Sequence, residues 1–249
     1  MSDVLDGFGW LTTAAHWWGR SGILRSLFEH LWYSAFATGL AVLIGLPIGL
    51  AIGHTGHGRF VAAAAANGLR AVPTVGIVTL LFLAQPRALY PVLVALTVLA
   101  IPSIVLATAA GIETVDADVK DAARGIGLSR MQVLRDVEIP NALPLIFAGV
   151  RSAANQVLAT ATIAGFGFGL GGLGRFIYAG YSGRRFDEVY GATMLVVGLV
   201  LLVEITLATV QRLVVSPGVR ESSTRRPVPL DATVPSTLPT AIQLGGEST

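Results

Sequence analysis

The sequence predicts an all-α protein, a polytopic membrane helix bundle of about five transmembrane helices. Hydrophobic residues make up 53% of the 249 residues, charged residues only 13%, and the mean hydropathy is +0.69, whereas soluble domains carry about 25% charged residues. The apolar residues fall into runs long enough to cross a hydrocarbon core of about 30 Å. One charged segment, residues 116–140, separates two runs and must lie in water or against another protein, because charge is costly in hydrocarbon.

Residues 1–30 are predicted to form an interfacial N-terminal segment rather than a cleaved signal peptide. The chain starts with the acidic sequence MSDVLDGFGW, and no early apolar run leads to a cleavage site. Aromatic residues interleaved with charges are typical of an amphipathic helix at a membrane surface. The residues concerned are Trp10, Trp17, Trp18 and Trp32, with Arg20, Arg25 and Glu29 between them.

Residues 31–214 are predicted to form the transmembrane domain. Its spans are expected at residues 31–53, 60–84, 90–112, 143–165 and 189–213. Each of these segments is apolar and long enough to cross a bilayer. Pro47 is expected to kink the first span, and the second span is expected to break at Pro73. Pro102 lies inside the third span.

Polar residues and one proline within the spans are candidate pathway or packing residues. They are Arg70 and Pro73 in the second span, Arg151 and Asn155 in the fourth, and Glu204 in the fifth. An ionisable side chain at membrane depth should face protein or water, because exposing it to lipid is costly. The sequence leaves open whether these residues line a pathway or pack against a neighbouring helix, and the arginines could also snorkel to the membrane surface.

The residue composition excludes several kinds of site. Lys120 is the only lysine and lacks the glycines of a Walker A loop, so the chain cannot be a P-loop ATPase. The chain has no cysteine, and His54 and His57 have no third ligand nearby, so no metal site is predicted. A net charge of +2 is too small to indicate a nucleic-acid partner. The glycine-rich run 165–176 fits a dinucleotide-binding pattern, but no strand precedes it, and tight packing at a span end is the better interpretation.

The charged segment predicts a helix, a glycine turn and a second helix. Asp116 is a suitable N-cap for the first helix, and Gly125 and Gly127 should break it. Ser129 can cap the second helix, which Pro140 is expected to stop. By itself, this pattern is also compatible with a solvated loop between two spans.

The spacing of residues in the charged segment resembles the pattern E-A-A-x3-G-x9-I-x-L-P, which permeases of ABC importers carry. The residues that match it are Asp121, Ala122, Ala123, Gly127, Val137, Ile139 and Pro140. The resemblance implies a MetI-like permease fold in which residues 114–140 form a cytoplasmic coupling loop. The matching residues would contact a separate cytoplasmic ATP-binding subunit. That partner would bind ATP and Mg²⁺, and this chain would hold no cofactor.

The same resemblance implies further partners and a substrate class. The partners would be a second permease, either a copy of this chain or a related one, an extracytoplasmic substrate-binding protein, and membrane lipid. Permeases for osmoprotectants resemble this chain at residues 30–34 (HLWYS), 149–165 (GVRSAANQVLATATIAG) and 171–180 (GGLGRFIYAG). Glycine betaine, carnitine, choline or proline would then be the substrate.

The sequence leaves three alternatives to an osmoprotectant importer. A permease for methionine or another amino acid is the first alternative. A membrane-embedded enzyme is less well supported, because the polar residues in the spans offer no nucleophile–base pair. A purely structural membrane subunit would explain the spans but not the spacing within the charged segment.

The distribution of basic residues favours an N-terminus outside and a C-terminus in the cytoplasm. With the charged segment inside, more arginine and lysine residues fall on the cytoplasmic side than outside. The resemblance to permeases of ABC importers implies the cytoplasmic membrane of a bacterium or archaeon. Residues 215–249 are rich in proline, serine, threonine and glycine, which predicts a disordered cytoplasmic tail that could touch anionic lipid.

Overall fold

A computed structural model of the chain describes residues 2–71, 73–84, 89–168 and 171–215. The regular elements in these ranges are helices, which confirms the predicted all-α fold. In chain order they are α1 (Ser2–Thr12), α2 (Ile23–Thr55), α3 (Arg59–Ala71), α4 (Thr74–Ala84), α5 (Tyr90–Glu113), α6 (Ala117–Gly125), α7 (Arg130–Gln132), α8 (Ile139–Phe168), α9 (Gly174–Ser182) and α10 (Phe186–Val214). A 3₁₀ turn, Ala14–His16, follows α1, and a π-helical segment, Val133–Glu138, joins α7 to α8. The predicted tail lies outside the described residues, apart from Val215.

Four helices in the described part of the chain are long and apolar enough to cross a membrane. They are α2, α5, the continuous helix that runs from α7 into α8, and α10. The second predicted span is divided, because α3 and α4 are separate helices of 13 and 11 residues. They meet at Pro73, which lacks an amide N–H and disfavours helical backbone at the residue before it.

The central helix of the bundle is α5. Within its apolar window 67% of the residues are buried, against 22% in α2 and 6% in α10. Gly45, Gly49 and Gly53 of α2 face α5 at every fourth position, and a Cβ added at Gly49 would lie only 2.6 Å from the Cβ of Thr108. Small residues at this spacing allow two helix backbones to approach closely. α8 packs along α5 as well, so that α5 is covered by both neighbours.

The N-terminal helix α1 packs against α10. Gly7 of α1 contacts Tyr190 of α10, where a Cβ on the glycine would come within 2.8 Å of the tyrosine Cβ. The ring of Trp10 stacks on His16 at a centroid distance of 5.0 Å, and Trp10 is only 8% exposed. The first helix is therefore part of the bundle. An interfacial role for residues 1–30 stays a prediction.

Candidate functional site

The charged segment folds as the predicted helix, turn and helix. The backbone N–H of Asp118 donates to the Asp116 carboxylate over 2.9 Å, which makes Asp116 the N-cap of α6. Gly127 has a φ of +93°, a conformation that glycine adopts without strain. Ser129 and Gln132 form a capping box at the start of α7, with the Ser129 N–H donating to the Gln132 Oε1 over 2.8 Å. Both predicted caps are confirmed.

The prediction that Pro140 stops the second helix is wrong. Val133–Glu138 winds as a π-helix, and α8 begins directly after it at Ile139. Pro140 therefore lies inside a continuous helix, directly after the wider π-helical segment, in which the Ile139 N–H donates to the Leu134 carbonyl oxygen. The capped start of α7 thus continues without a break into a membrane-spanning helix, and a displacement of α7 can reach α8 directly.

The residues that match the permease pattern divide into an exposed group and a packed group. Asp121, Ala122 and Gly127 are exposed, whereas Ala123 is buried. The residues of the second half, Val137, Ile139 and Pro140, are half-buried where the π-helix enters α8. The first half of the pattern is therefore free to contact another protein, and the second half packs within this chain.

Large apolar side chains protrude beside the exposed half. Ile126 is 80% exposed and Met131 69% exposed, and they lie on either side of the Gly127 turn. Next to them, Asp121 and Arg124 form an exposed ion pair of 2.9 Å. We call the surface of residues 119–131 the coupling surface. Exposed apolar residues rimmed by charges are typical of a protein–protein contact, and sequence reasoning had singled out neither Ile126 nor Met131.

A buried charged cluster lies beneath the coupling surface. Glu138 is 2% exposed, and its carboxylate lies 2.6 Å from His54 Nδ1 and 3.6 Å from Lys120 Nζ. Lys120 Nζ also donates to the carbonyl oxygen of Ile112 over 2.9 Å. From the sequence, His54 is a candidate only as a metal ligand, and Glu138 is not a candidate. These residues are far apart in the chain, so that local spacing carries no signal for the cluster.

The structure brings together three of the five candidate pathway or packing residues. Arg151 of α8 donates to both Glu204 Oε1 and Gln211 Oε1 of α10, the latter over 2.9 Å. Asn155 Nδ2 donates to Glu204 Oε2 over 2.9 Å. These bonds connect α8 to α10 at membrane depth, so Arg151 is paired rather than snorkelling. The side chain of Arg70 is outside the described part, and Pro73 marks the junction of α3 and α4.

The glycine-rich turn between α8 and α9 packs on α2. Gly172, with a φ of +67°, donates its N–H to the Glu29 carboxylate over 3.2 Å. The N–H of Leu173 donates to His30 Nδ1 over 3.4 Å, and His30 Nε2 donates to the Leu158 carbonyl over 3.1 Å. His30 is only 1% exposed, and its ring bridges α2, α8 and the turn. In the described part of the motif, residues 171–173 therefore serve helix packing, as the sequence favours.

An apolar cavity of about 340 Å³ lies between α2, α8 and α10. Ser34 and Thr38 line it, and in the described structure their hydroxyl oxygens have no hydrogen-bond partner. The remaining lining is hydrocarbon, including Ala154 and Leu207. Such a lining suits apolar groups and would not stabilise a free ion.

Comparison with known proteins identifies relatives over most of the chain. Residues 41–221 match the family described as binding-protein-dependent transport system inner membrane component. The carnitine transport permease protein OpuCB of Listeria monocytogenes is 30% identical over 200 residues, which cover 80% of this chain and 91% of the relative. The osmoprotectant import permease protein OsmW of Salmonella typhimurium is 30% identical over 207 residues, covering 81% and 96%.

A solved structure supports the fold. Inward-facing conformations of the MetNI methionine ABC transporter include a chain that matches this one with a TM-score of 0.68. The match covers 78% of this chain and 96% of that one at 24% sequence identity. It confirms the expected MetI-like arrangement of helices and concerns the fold alone.

Proposed function

The chain belongs to the family of binding-protein-dependent transport system inner membrane components, and we propose its function on that basis. It is therefore a transport permease subunit of an ABC importer rather than an enzyme. With four long apolar helices in its described part, it is a multi-pass membrane protein.

The proposed substrate is an osmoprotectant of the quaternary ammonium class, such as glycine betaine, carnitine or choline; proline is a further candidate. The support comes from the relatives, whose names specify carnitine, osmoprotectants, or glycine betaine, carnitine and choline together. Methionine or another amino acid is the alternative. The likeness to a methionine transporter does not favour it, because at 24% identity that likeness concerns only the fold.

The coupling surface is proposed to dock onto a cytoplasmic ATPase. That partner would bind ATP and Mg²⁺, and this chain would bind neither. The exposure of Ile126 and Met131 beside a rigidly capped turn is the observation that carries this proposal. Closure of two ATPase subunits would displace the coupling surface, and the continuous helix from α7 into α8 would transmit the displacement to the spans. A shift between inward-open and outward-open states would follow, driven by the different contacts that the ATPase makes in each state.

The proposed assembly also includes a second permease, a substrate-binding protein on the outer face, and surrounding lipid. We propose that the N-terminus lies outside and the C-terminus in the cytoplasm of a bacterial or archaeal membrane. An odd number of crossings is then required. Since α2, α5, α8 and α10 account for four, α3 and α4 would together form one broken span.

Uptake of radiolabelled glycine betaine at high osmolarity tests the substrate. Cells that lack this gene are expected to lose ATP-dependent uptake, and the restored gene should return it. Methionine uptake measured in the same cells is the comparison, and it should not change. Loss of methionine uptake with normal betaine uptake would replace the proposed substrate by the alternative one.

Replacing Gly127 by arginine tests the docking site. The residue is exposed and a Cβ there has no atom within 4 Å, so the variant should fold, but its φ of +93° strains a non-glycine residue by about 1–2 kcal/mol. We expect the ATPase to co-purify poorly with Gly127→Arg and uptake to fall. Gly19→Arg is a matched control, because Gly19 has a φ of +99° and equally open surroundings far from the coupling surface in the chain. Normal uptake by Gly127→Arg would refute the docking assignment.

A further inference from the structure

Three elements of the fold meet at the buried carboxylate of Glu138. His54 Nδ1, at the end of α2, lies 2.6 Å from Oε2, and Lys120 Nζ, in α6, lies 3.6 Å from Oε1. Glu138 itself is the last residue of the π-helical segment that leads into α8. Its exposure of 2% leaves it almost without access to water. A charged carboxylate in such a place must be held by its partners.

Lys120 extends the cluster to a fourth element. Its Nζ donates over 2.9 Å to the carbonyl oxygen of Ile112, in the last turn of α5. The last carbonyls of a helix have no partner within the helix, and the helix dipole makes that end attractive to a cation. Lys120 thus joins the coupling surface to the end of the central helix, while also facing Glu138.

Exposed ion pairs nearby have a different character. The side chains of Asp121 and Arg124 are 71% and 54% exposed, and in the Arg59–Glu113 pair the arginine is 67% exposed and the glutamate 24% exposed. Ion pairs in water contribute little, because solvent and salt screen them. A buried pair is different, since removal of one partner leaves an unpaired charge. The buried cluster is therefore the stronger connection between the coupling surface and the spans.

The position of α2 gives the cluster a mechanical role. α6 is joined to α5 by a short stretch of chain, and α7 continues into α8, so these helices follow the coupling surface through covalent connections. α2 is separated from the coupling surface by three helices along the chain. For α2 to move with that surface, a non-covalent contact has to transmit the force. The contact between His54 and Glu138 is short, and both side chains are largely buried.

We propose that Glu138, Lys120 and His54 are positioning residues that transmit movement of the coupling surface to α2 and α5. This inference rests on the proposed function, in which a docked ATPase moves that surface. The cluster makes α2, α5 and α8 respond as one unit. Without it, the ATPase could still dock and hydrolyse ATP, while part of the movement would be lost before it reached the spans.

The test uses the complete transporter in proteoliposomes, assembled from this chain, the ATPase that co-purifies with it, and its binding protein. Two quantities are measured for each variant: the amount of ATPase bound, and the glycine betaine imported per ATP hydrolysed. Glu138→Gln removes the buried charge, and His54→Leu removes the donor to it. His54→Gln keeps an N–H donor and is the conservative variant. Arg59→Gln removes an exposed ion pair near the same ends of the spans and is the control.

We expect all variants to bind as much ATPase as the wild type. In Glu138→Gln and His54→Leu the import per ATP should fall, by about 2- to 30-fold if the cluster couples the sites as other coupling residues do. His54→Gln and Arg59→Gln should stay close to the wild-type ratio. A role in folding alone would instead lower the amount of assembled protein and leave the ratio unchanged.

An unchanged ratio in both Glu138→Gln and His54→Leu would overturn the inference. If Glu138→Gln fails to accumulate in the membrane, the two His54 variants decide, because His54 is partly exposed and its replacement leaves the Lys120–Glu138 pair in place. A wild-type complex that binds no ATPase would refute the proposed function first, and this inference with it.

Discussion

At the scale of single residues, the pairing of Arg151 with Glu204 decides how this chain tolerates charge at membrane depth. Replacing either residue by methionine leaves the other charge without its main partner. We expect each single variant to lose about 2.5–3.5 kcal/mol of stability, the insertion cost of a charged side chain at the centre of a membrane helix. The double variant should lose less than the sum of the two, because it leaves neither ion behind. Unfolding in detergent micelles measures all three.

Asn155→Ala is the control for these three variants, because it removes a hydrogen bond to Glu204 and no charge. Its expected loss is about 0.6 kcal/mol, typical of hydrogen bonds between helices in a bilayer. Additive losses in the double variant would show that Arg151 and Glu204 do not interact. Uptake by the double variant separates the two interpretations that the sequence left open: retained uptake indicates packing residues, and lost uptake with retained stability indicates pathway residues.

At the scale of elements, the contact of α2 with α5 depends on glycine at particular positions. A Cβ at Gly49 would come within 2.6 Å of the Thr108 Cβ, whereas a Cβ at Gly39 of the same helix has no atom within 4 Å. We expect Gly49→Ala to destabilise the protein by about 1–3 kcal/mol through overpacking. Gly39→Ala should be neutral or slightly stabilising, because alanine favours a helix. The temperature of unfolding in detergent compares them, and equal effects would contradict the close packing.

The π-helical junction between α7 and α8 is a second feature at the scale of elements. A proline usually ends a helix, and that rule predicted a stop at Pro140. Here the wider π-helical turn of Val133–Glu138 comes directly before α8, and the helix runs on through Pro140. The charged segment is therefore joined without a break to a helix that is long and apolar enough to cross a membrane.

At the scale of the whole molecule, the orientation can be tested because the chain has no cysteine. Met131, on the coupling surface, is 69% exposed, and Tyr181, in α9, is 65% exposed. They lie beyond opposite ends of α8, whose 30 residues make it about 45 Å long. We expect an impermeant thiol reagent to label Tyr181→Cys in intact cells. Met131→Cys should react only after the membrane is opened, and the reverse pattern would refute the proposed orientation.

The sequence by itself determined the class of fold, most of the spans and the helix, turn and helix of the charged segment. An apolar run that is long enough to cross a bilayer does so as a helix, because hydrocarbon offers no hydrogen-bond partner for the backbone. Asp116, Gly127 and Ser129 could be assigned correctly because caps and turns depend on residues within a few positions of one another. The family pattern was found for the same reason, as its spacing is local.

Only the tertiary structure decided which polar residues meet. Glu138 and His54 are 84 positions apart, and Arg151 and Glu204 are 53 apart, so no periodicity connects them. Their pairing follows from how α2, α8 and α10 pack, and that packing depends on the shapes of many side chains at once. Burial then determines which pairs matter, because the same two charges interact weakly in water and strongly where water is excluded.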